Sequence, residues 1–466
     1  MRPLLISRLA EITGGTLADV QEPDLLVSGP AAIDSRRVTT GSLFVALQGE
    51  RVDGHDFAAT AAAAGAALAL TTRPVGVPAL VVPEVLAALD AIAHASLAAL
   101  PDVTVIALTG SAGKTTTKDL VAALLRRLGP TVATPDSFNN EIGHPYSVLL
   151  ADASTRYLVL EMGARGPGHI AARARISPPR VGAVLNVGSA HVGEFGSREG
   201  IAAAKGELVE ALPAAADGGV AILNADDPLV AGMAGRTEAR VVTAGTASGA
   251  DVRAEAVTTD ARGRATYTLA TRSGQVAVRL GLVGAHQVAN SLIAAAVAIE
   301  LGLPLAGVAD GLAEAVASKW RMEITERSDG VTVINDAYNA NPESVAAALH
   351  ALTAIAAGRR AVAVLGEMAE LGAGSAAAHR DVGALAAELG VAVVVAVGPN
   401  AAPIADAAGD RAVRVADIGA AIDALKGMLE PRDVVLVKGS RVVGLERVAA
   451  ALDEHGATNG NGETAR

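Results

Sequence analysis

A lysine and two threonines follow two closely spaced glycines in a segment whose residue types suit phosphate binding. The segment comes directly after an apolar run and directly before a helical pattern. Glycines let the backbone bend so that successive amide groups and the helix N-terminus point at phosphate oxygens. Lys114 would add a positive charge, and the Thr115 hydroxyl would be a magnesium ligand. The residues of this predicted phosphate loop are Thr109, Gly110, Ser111, Ala112, Gly113, Lys114, Thr115 and Thr116.

The spacing of the phosphate loop differs from that of the general P-loop, because Leu108 stands where the first glycine of that motif would be. An ordinary glycine-containing turn between a strand and a helix is the structural alternative. The Lys-Thr pair and the strand–loop–helix context favour a nucleotide site.

The elements around this loop follow an alternating pattern. Over residues 103–243, short β-branched runs alternate with longer helical patterns, which indicates a parallel sheet with crossover helices. Polar–apolar alternation over residues 251–280 predicts antiparallel strands, and residues 287–301 return to a helix. A second series of strands and helices then predicts a separate doubly wound domain. Its strands are VTVIND, AVAVLGE, VAVVVAVG and VVLVKG.

A chain of 466 residues exceeds what one hydrophobic core usually spans. We therefore predict an α/β protein of three domains, with boundaries near residues 84 and 317. The three are a small mixed N-terminal domain (1–84), a central parallel-sheet ATPase domain of the P-loop type (85–317) and a C-terminal doubly wound, Rossmann-like domain (318–466). The last residues, from about 456, read as a disordered tail.

Composition excludes several classes of protein. The formal charge of −11 argues against a surface that binds nucleic acid. The absence of cysteine excludes disulfides and thiolate metal sites and fits a reducing compartment. The N-terminus lacks the apolar core of a signal peptide, and the longest apolar stretches are too short or too interrupted to span a bilayer. We expect a cytoplasmic monomer without membrane insertion.

Several separated motifs resemble the Mur ligase family of ATP-dependent amide ligases over nearly the whole chain. The phosphate loop itself has the short form TGxxGKTT that these ligases carry. The other motifs lie at residues 34–36, 41–46, 53–55, 139–145, 161–164, 191–193, 204–207, 320–323, 336–342, 366–372 and 438–441. Three of them, at 139–145, 366–372 and 438–441, are similar to the member that adds D-alanyl-D-alanine. The Asn-Pro-Arg motif expected of the diaminopimelate-adding member is absent.

The resemblance implies an activity and its substrates. ATP would activate the terminal carboxylate of UDP-N-acetylmuramoyl-tripeptide as an acyl phosphate, and the amine of D-alanyl-D-alanine would displace phosphate to form an amide. The N-terminal domain would bind the UDP-sugar, and the C-terminal domain would bind the incoming dipeptide and close over ATP. Alternatives are the preceding step, which adds diaminopimelate or lysine to the UDP-muramoyl-dipeptide, a folylpolyglutamate synthase-like ligase, and a nucleotide-switch binding protein.

The resemblance also implies two magnesium ions and a modified lysine. Thr115 and Glu161 would bind the ion that bridges the β and γ phosphates. Glu161, His191 and Lys205 would lie near a second ion. Because a protonated lysine would be repelled by a cation, the resemblance implies that carbon dioxide carbamylates Lys205, which needs a lowered lysine pKa. From spacing alone, a solvated helix lysine is the favoured reading of Lys205, and His191 could equally be a loop histidine with no metal role.

The remaining nucleotide-binding residues come from the last third of the chain. Arg321 would reach the γ-phosphate or form an interdomain ion pair. Asp336 would accept the ribose hydroxyls, and Asn290 would contact adenine; the residue at 287 is Gln where the family often has Asn. Tyr338 and Asn339 would lie near the base, although Tyr338 could also be core. The predicted catalytic residues are Lys114, His191, Lys205 and Arg321.

Six further residues are predicted to bind substrate on the strength of the motifs. They are Ser35, Arg36, Asn139, Asn140, Lys438 and Ser440. The first two would lie near the uridine diphosphate, and the two asparagines in the family's substrate-facing loop. The last two would meet the dipeptide or the acyl phosphate, or else cap a strand end.

Overall fold

The computed structural model describes residues 1–49, 52–188 and 192–459, and for residues 192 and 454–459 it describes the backbone alone. The predicted α/β class is confirmed, with parallel-rich sheets in three regions of the chain. The predicted tail from about 456 lies largely outside the described residues. Among those residues, no helix is long and apolar enough to cross a membrane.

The N-terminal region forms one small sheet with the strand order β2-β7-β6-β5-β4 and a separate pair, β1 and β3. All neighbours in the five-stranded sheet are parallel except β2 and β7. The strands are β1 (Leu4–Leu5), β2 (Thr16–Ala18), β3 (Leu26–Val27), β4 (Ala31–Ala32), β5 (Leu43–Val45), β6 (Leu68–Thr71) and β7 (Ala79–Val81). The helices are α1 (Ile6–Thr13), α2 (Ala58–Ala63) and α3 (Val85–Ala98).

The central region forms a nine-stranded sheet with the order β16-β15-β14-β13-β12-β11-β8-β10-β9. Its strands are β8 (Thr104–Thr109), β9 (Thr131–Ala133), β10 (Tyr157–Glu161), β11 (Val181–Val184), β12 (Val220–Asn224), β13 (Arg240–Gly245), β14 (Val252–Thr259), β15 (Arg264–Thr271) and β16 (Gly274–Val283). Its helices are α4 (Lys114–Leu125), α5 (Gly143–Val148), α6 (His169–Ile176), α7 (Val192–Phe195), α8 (Arg198–Glu210), α9 (Pro228–Ala231), α10 (Gln287–Glu300) and α11 (Leu305–Ala313).

The pairing in this sheet changes once along its width. Strands β9 to β14 are parallel neighbours, and β14, β15 and β16 are antiparallel, as the sequence alternation predicted. Strand β8 lies between β10 and β11, so the loops that leave these three strands meet at one edge of the sheet. Ligands of open parallel sheets bind at the carboxyl ends of strands where the strand order reverses. The predicted phosphate loop leaves β8 at such a point.

The C-terminal region forms a six-stranded sheet with the order β17-β18-β22-β19-β20-β21, in which only the β17–β18 pairing is antiparallel. Its strands are β17 (Glu323–Glu326), β18 (Thr332–Asn335), β19 (Ala361–Leu365), β20 (Val393–Val397), β21 (Ala412–Val415) and β22 (Val434–Lys438). Its helices are α12 (Pro342–Ala356), α13 (Ser375–Glu388), α14 (Ala402–Ala408), α15 (Ile418–Met428) and α16 (Glu446–Asn459).

Apolar side chains cover both faces of the two larger sheets. Helices α4 and α10 pack on one face of the central sheet and α8 on the other. Helix α3 lies in a cluster that joins the N-terminal sheet to Leu158 and Leu160 of β10. The N-terminal and central regions therefore share a continuous core, whereas the C-terminal sheet has separate clusters on its two faces. The predicted boundaries at 84 and 317 stay predictions.

Candidate functional site

The backbone of the phosphate loop is hydrogen-bonded to an asparagine that follows the neighbouring strand β11. The side-chain oxygen of Asn186 accepts from the amides of Ser111 and Ala112 at 3.0 and 2.9 Å, and its amide donates to the Ala112 carbonyl at 3.1 Å. Gly113 has φ +78°, and a Cβ there would lie 2.4 Å from the Asn290 side-chain oxygen. Glycine is therefore required at this position by both backbone conformation and space. Asn290 therefore lies against the loop, and its contact with adenine stays a prediction.

Lys114 starts helix α4 and turns back over the loop. Its Nζ donates to the Gly110 carbonyl at 2.9 Å. Burial lowers the pKa of Lys114, while the nearby Glu161 carboxylate opposes that shift. The Lys114 ammonium therefore lies beside the phosphate loop. A bound phosphate would replace its contact with the Gly110 carbonyl.

Thr115 and Glu161, both predicted magnesium ligands, are hydrogen-bonded to each other. The Thr115 hydroxyl donates to one Glu161 oxygen at 2.8 Å, and the Asn139 side-chain amide donates to the other at 2.5 Å. Glu161 is 1% exposed. A hydroxyl and a carboxylate that touch at a phosphate loop are hard oxygen donors of the kind magnesium prefers.

Histidine 191, predicted as a catalytic and metal-binding residue, lies outside the described residues. In the part of the chain that is described, no group of three or more His, Cys, Asp or Glu side chains could hold a metal ion by itself. A magnesium ion beside Thr115 and Glu161 would keep several waters and bind phosphate oxygens, as this ion usually does.

Lys205 lies on α8 and is buried, with 6% of its surface exposed. The alternative of a solvated helix lysine is therefore excluded. Burial, together with the positive charge of Lys114, holds the pKa of Lys205 well below its ordinary value. A neutral amine near the phosphate loop is the state from which a lysine can react with carbon dioxide.

Arg321 brings the C-terminal region onto the phosphate loop. Its Nη2 donates to the Thr115 hydroxyl at 2.8 Å, and its guanidinium lies 4.1 Å from the centre of the Tyr338 ring. Its neighbours Trp320 and Met322 both have positive φ, at 60° and 54°. Non-glycine residues rarely adopt this conformation, so the turn that presents Arg321 is strained on both sides.

Tyr338 is half-buried, and its hydroxyl is hydrogen-bonded to the Ser137 hydroxyl of the central region. It is therefore an interdomain contact rather than a core residue. Asn339 is exposed beside it. Beside the phosphate loop, Thr115 and Ser137 of the central region thus contact Arg321 and Tyr338 of the C-terminal region.

Asp336 and Lys438 form a buried ion pair, with Nζ at 2.6 Å from the carboxylate. Lys438 also donates to the Asn339 carbonyl at 2.8 Å. The Ser440 hydroxyl accepts from the Ala369 amide at 2.9 Å. In this structure Lys438 and Ser440 join loops within the C-terminal sheet, as expected if they cap a strand end, and their contact with substrate stays a prediction.

The predicted uridine-diphosphate residues lie elsewhere, at the carboxyl end of β4. Ser35 and Arg36 belong to a short 3-10 turn, and Arg36 pairs with Asp34 at 2.8 Å. Neither bonds to the phosphate loop, which is fully described. The Asn140 side-chain oxygen accepts from the Gly143 amide at 2.8 Å, and of the two asparagines only Asn139 bonds to Glu161 among the described contacts.

Asn186 is not among the residues predicted from the sequence. A signal was present, because this polar residue interrupts the end of the apolar run VGAVLNV, which was itself predicted as a strand. Only the order of strands in the sheet shows that the end of this run lies beside the phosphate loop.

The chain matches three models of one family in succession. Residues 31–105 match the Mur ligase family catalytic domain, residues 108–298 the Mur ligase middle domain, and residues 320–441 the Mur ligase glutamate ligase domain. The second model ends at residue 298 and the third begins at residue 320, in the segment between the strands of the central sheet and those of the C-terminal sheet.

Full-length relatives carry one activity in their names. The UDP-N-acetylmuramoyl-tripeptide--D-alanyl-D-alanine ligase of Mycobacterium tuberculosis is 49% identical, over 97% of this chain and 98% of that protein. A crystal structure of MurF from Acinetobacter baumannii has a TM-score of 0.87 at 32% identity, covering 97% of this chain and 99% of that one. MurF of Thermotoga maritima in complex with ADP has a TM-score of 0.80 at 30% identity, covering 92% and 98%.

Proposed function

This chain belongs to the Mur ligase family, and we propose that it joins D-alanyl-D-alanine to UDP-N-acetylmuramoyl-tripeptide at the expense of ATP, in peptidoglycan biosynthesis. The observation that carries the proposal is the contact of Arg321, from the C-terminal region, with Thr115 of the phosphate loop. A ligase that uses ATP needs its nucleotide site at a junction where a second domain can deliver the acceptor amine. The names of the full-length relatives supply the substrates.

The reaction needs activation because a carboxylate is a poor electrophile. The terminal carboxylate of the peptide attacks the γ-phosphorus, the bond to ADP breaks, and an acyl phosphate forms. The neutral amine of D-alanyl-D-alanine then attacks the acyl carbon, loses a proton and expels inorganic phosphate. The protein contributes alignment and charge neutralisation in both steps.

Two cations of this chain face the phosphates in the proposed mechanism. Lys114 moves from the Gly110 carbonyl to the transferring phosphate, and Arg321 approaches it from the C-terminal side. Asn186 holds the loop backbone by hydrogen bonds. Thr115 and Glu161 would hold a magnesium ion, which would supply positive charge to the phosphates.

Carbamylation of Lys205 is part of the proposal. Its neutral amine attacks carbon dioxide, an N–C bond forms and one proton leaves, which turns the side chain into an anion. An anion is favoured next to Lys114, whereas an ammonium is repelled by it. The modified lysine would then be an oxygen ligand for a second magnesium ion.

Carbamate at Lys205 is tested with ¹³C-labelled carbon dioxide. We expect a carbamate carbon signal by NMR in the wild-type protein and none in Lys205→Ala, and we expect activity to fall when carbon dioxide is removed and to return with bicarbonate. Lys426→Ala, which removes a lysine from the surface helix α15, is the control. Equal signals from all three proteins would refute the modification.

The activity is tested by phosphate release from ATP with magnesium. UDP-muramoyl-tripeptide plus D-alanyl-D-alanine is compared with each alone and with UDP-muramoyl-dipeptide plus diaminopimelate. Release that depends on the first pair supports the proposal. Release with the second pair assigns the preceding step, and release that is indifferent to every substrate points to a nucleotide switch. A cytoplasmic enzyme is proposed on the same basis, because ATP and a UDP-linked precursor are cytoplasmic compounds. That the enzyme is a monomer stays a prediction from the sequence.

A further inference from the structure

A second lysine of helix α4 is buried close to the site, and the mechanism above does not use it. Lys118 is 2% exposed. Its Nζ donates to the carbonyls of Thr134 and Asp136 at 2.6 and 2.9 Å and pairs with the Asp119 carboxylate at 2.8 Å. An ammonium has three donors, and each of them has a partner here. The side chain is therefore fixed in place, one helical turn after Lys114.

The two carbonyls belong to the loop of residues 134–142, which connects β9 to α5 and is called the β9–α5 loop below. Asp136 has φ +46°, a strained conformation for a residue other than glycine. A conformation of this kind persists only where the surroundings hold it. The bond from Lys118 to the Asp136 carbonyl is such a restraint.

The β9–α5 loop carries residues that reach the reaction site on both sides. Ser137 is hydrogen-bonded to Tyr338, and Asn139 is hydrogen-bonded to Glu161. The Thr134 hydroxyl also accepts from the Glu161 amide at 3.1 Å. Displacement of this loop would thus move the Glu161 carboxylate and the Tyr338 contact together.

Asp119 continues the chain of contacts to the segment between the domains. Its second carboxylate oxygen accepts from the Ser318 hydroxyl at 2.5 Å. Ser318 lies between α11 and Arg321, on the only covalent connection to the C-terminal sheet. The adjacent pair Lys118–Asp119 thereby ties the phosphate-binding helix to the β9–α5 loop on one side and to the interdomain segment on the other.

We propose that Lys118 is a positioning residue that fixes the β9–α5 loop relative to the phosphate loop, so that the carboxylate of the UDP-linked peptide meets the γ-phosphate in line. Lys118 touches neither ATP nor the reacting atoms in this scheme. It acts through Asn139 and Ser137. The inference rests on the proposed ligase activity.

The test is steady-state kinetics of Lys118→Met with each substrate varied in turn. We expect the KM for UDP-muramoyl-tripeptide to rise by about tenfold and kcat to fall, while the KM for ATP stays within about twofold of wild type. Lys426→Met removes a lysine from a surface helix and is expected to leave all three parameters unchanged. A merely structural role would lower the melting temperature without separating the two KM values.

A second variant covers the case in which Lys118→Met does not fold. Asp119→Asn removes the ion pair but keeps one acceptor oxygen for Lys118, while its NH2 group can donate to the Ser318 hydroxyl. It should raise the same KM by about threefold. A wild-type KM for the UDP-linked substrate in Asp119→Asn, or an unaltered ratio of KM values in a folded Lys118→Met, overturns the proposal. An inactive wild-type enzyme would instead refute the ligase activity itself.

Discussion

Arg321 is the side chain through which the C-terminal region touches the phosphate loop. It is flanked by two residues with positive φ and stacked on Tyr338, so its direction is set by the backbone and by the ring together. Guanidinium groups bind phosphate in a planar, two-pronged geometry that lysine cannot reproduce. At the residue scale, the site therefore depends on one arginine whose position is prearranged.

Replacing Arg321 with Ala should lower kcat/KM for ATP by roughly a hundredfold, since a charge that stabilises the transferring phosphate is lost. Arg321→Lys should recover only a small part of this, because the stacking on Tyr338 is also lost. Phosphate release from ATP measures the activity of both variants.

The control for Arg321 is Arg272→Ala. Arg272 is an arginine whose side chain is 89% exposed and which pairs with Asp251. Activity within about twofold of wild type is expected there. Near-normal activity in Arg321→Ala would remove this residue from the mechanism.

At the scale of elements, helix α3 is the piece that joins the N-terminal sheet to the central one. It carries Asp90, whose Oδ1 is buried without a hydrogen-bond partner among the described residues. Burial, reinforced by the charge of Glu84, raises the pKa of Asp90 to about 6. The ionised Asp90 carboxylate therefore lowers the free energy of unfolding at neutral pH.

Asp90→Asn should stabilise the protein, and the gain should depend on pH. Because the folded pKa is raised, the contribution of Asp90 to stability is present below its unfolded pKa and is lost as the pH rises through about 6. We expect a gain of about 1 kcal/mol near pH 8, after allowance for partial exposure, and a smaller one near pH 4.5. The measurement is the melting temperature of both proteins at the two pH values; a gain that is equal at both would contradict the assignment.

The sequence predicts elements better than it predicts contacts. The runs VTVIAL and YLVLEM became β8 and β10, and the phosphate loop lies between strand and helix as predicted, because hydrophobic periodicity is a local property. Asn186, Lys118 and the Asp336–Lys438 pair were not predicted in their roles. Each depends on a partner 16 to 102 residues away, and no local pattern carries that information.

At the scale of the whole molecule, the central and C-terminal regions are in contact around the phosphate loop. Ser137 meets Tyr338, Thr115 meets Arg321, and Arg165 pairs with Glu370 at 3.4 Å. Apolar contact across this junction is small, because Val283 at the end of β16 belongs to the C-terminal cluster, whereas a large shared cluster joins the N-terminal and central regions. The junction is therefore mainly polar. A polar junction can open and close at little cost, as a cycle of substrate entry and product release requires.

The hydrogen bond between the Ser137 and Tyr338 hydroxyls should stabilise the arrangement in which the central and C-terminal regions are in contact. Tyr338→Phe keeps the ring beneath Arg321, and Ser137→Ala removes the partner. In a double-mutant cycle on kcat/KM we expect a coupling of about 1 kcal/mol. Additive effects would mean that the two hydroxyls do not act together during turnover.

The chain contains a single tryptophan, Trp320, and its place in the fold makes it an optical probe. Its indole lies 4.5 Å from the Lys319 ammonium and 4.6 Å from the Arg441 guanidinium, next to the arginine that reaches the phosphate loop. Cationic neighbours alter indole emission, and any rotation of the C-terminal region changes how they surround the ring. Unlabelled protein should therefore report its own opening and closing as a fluorescence signal, with no background from a second indole.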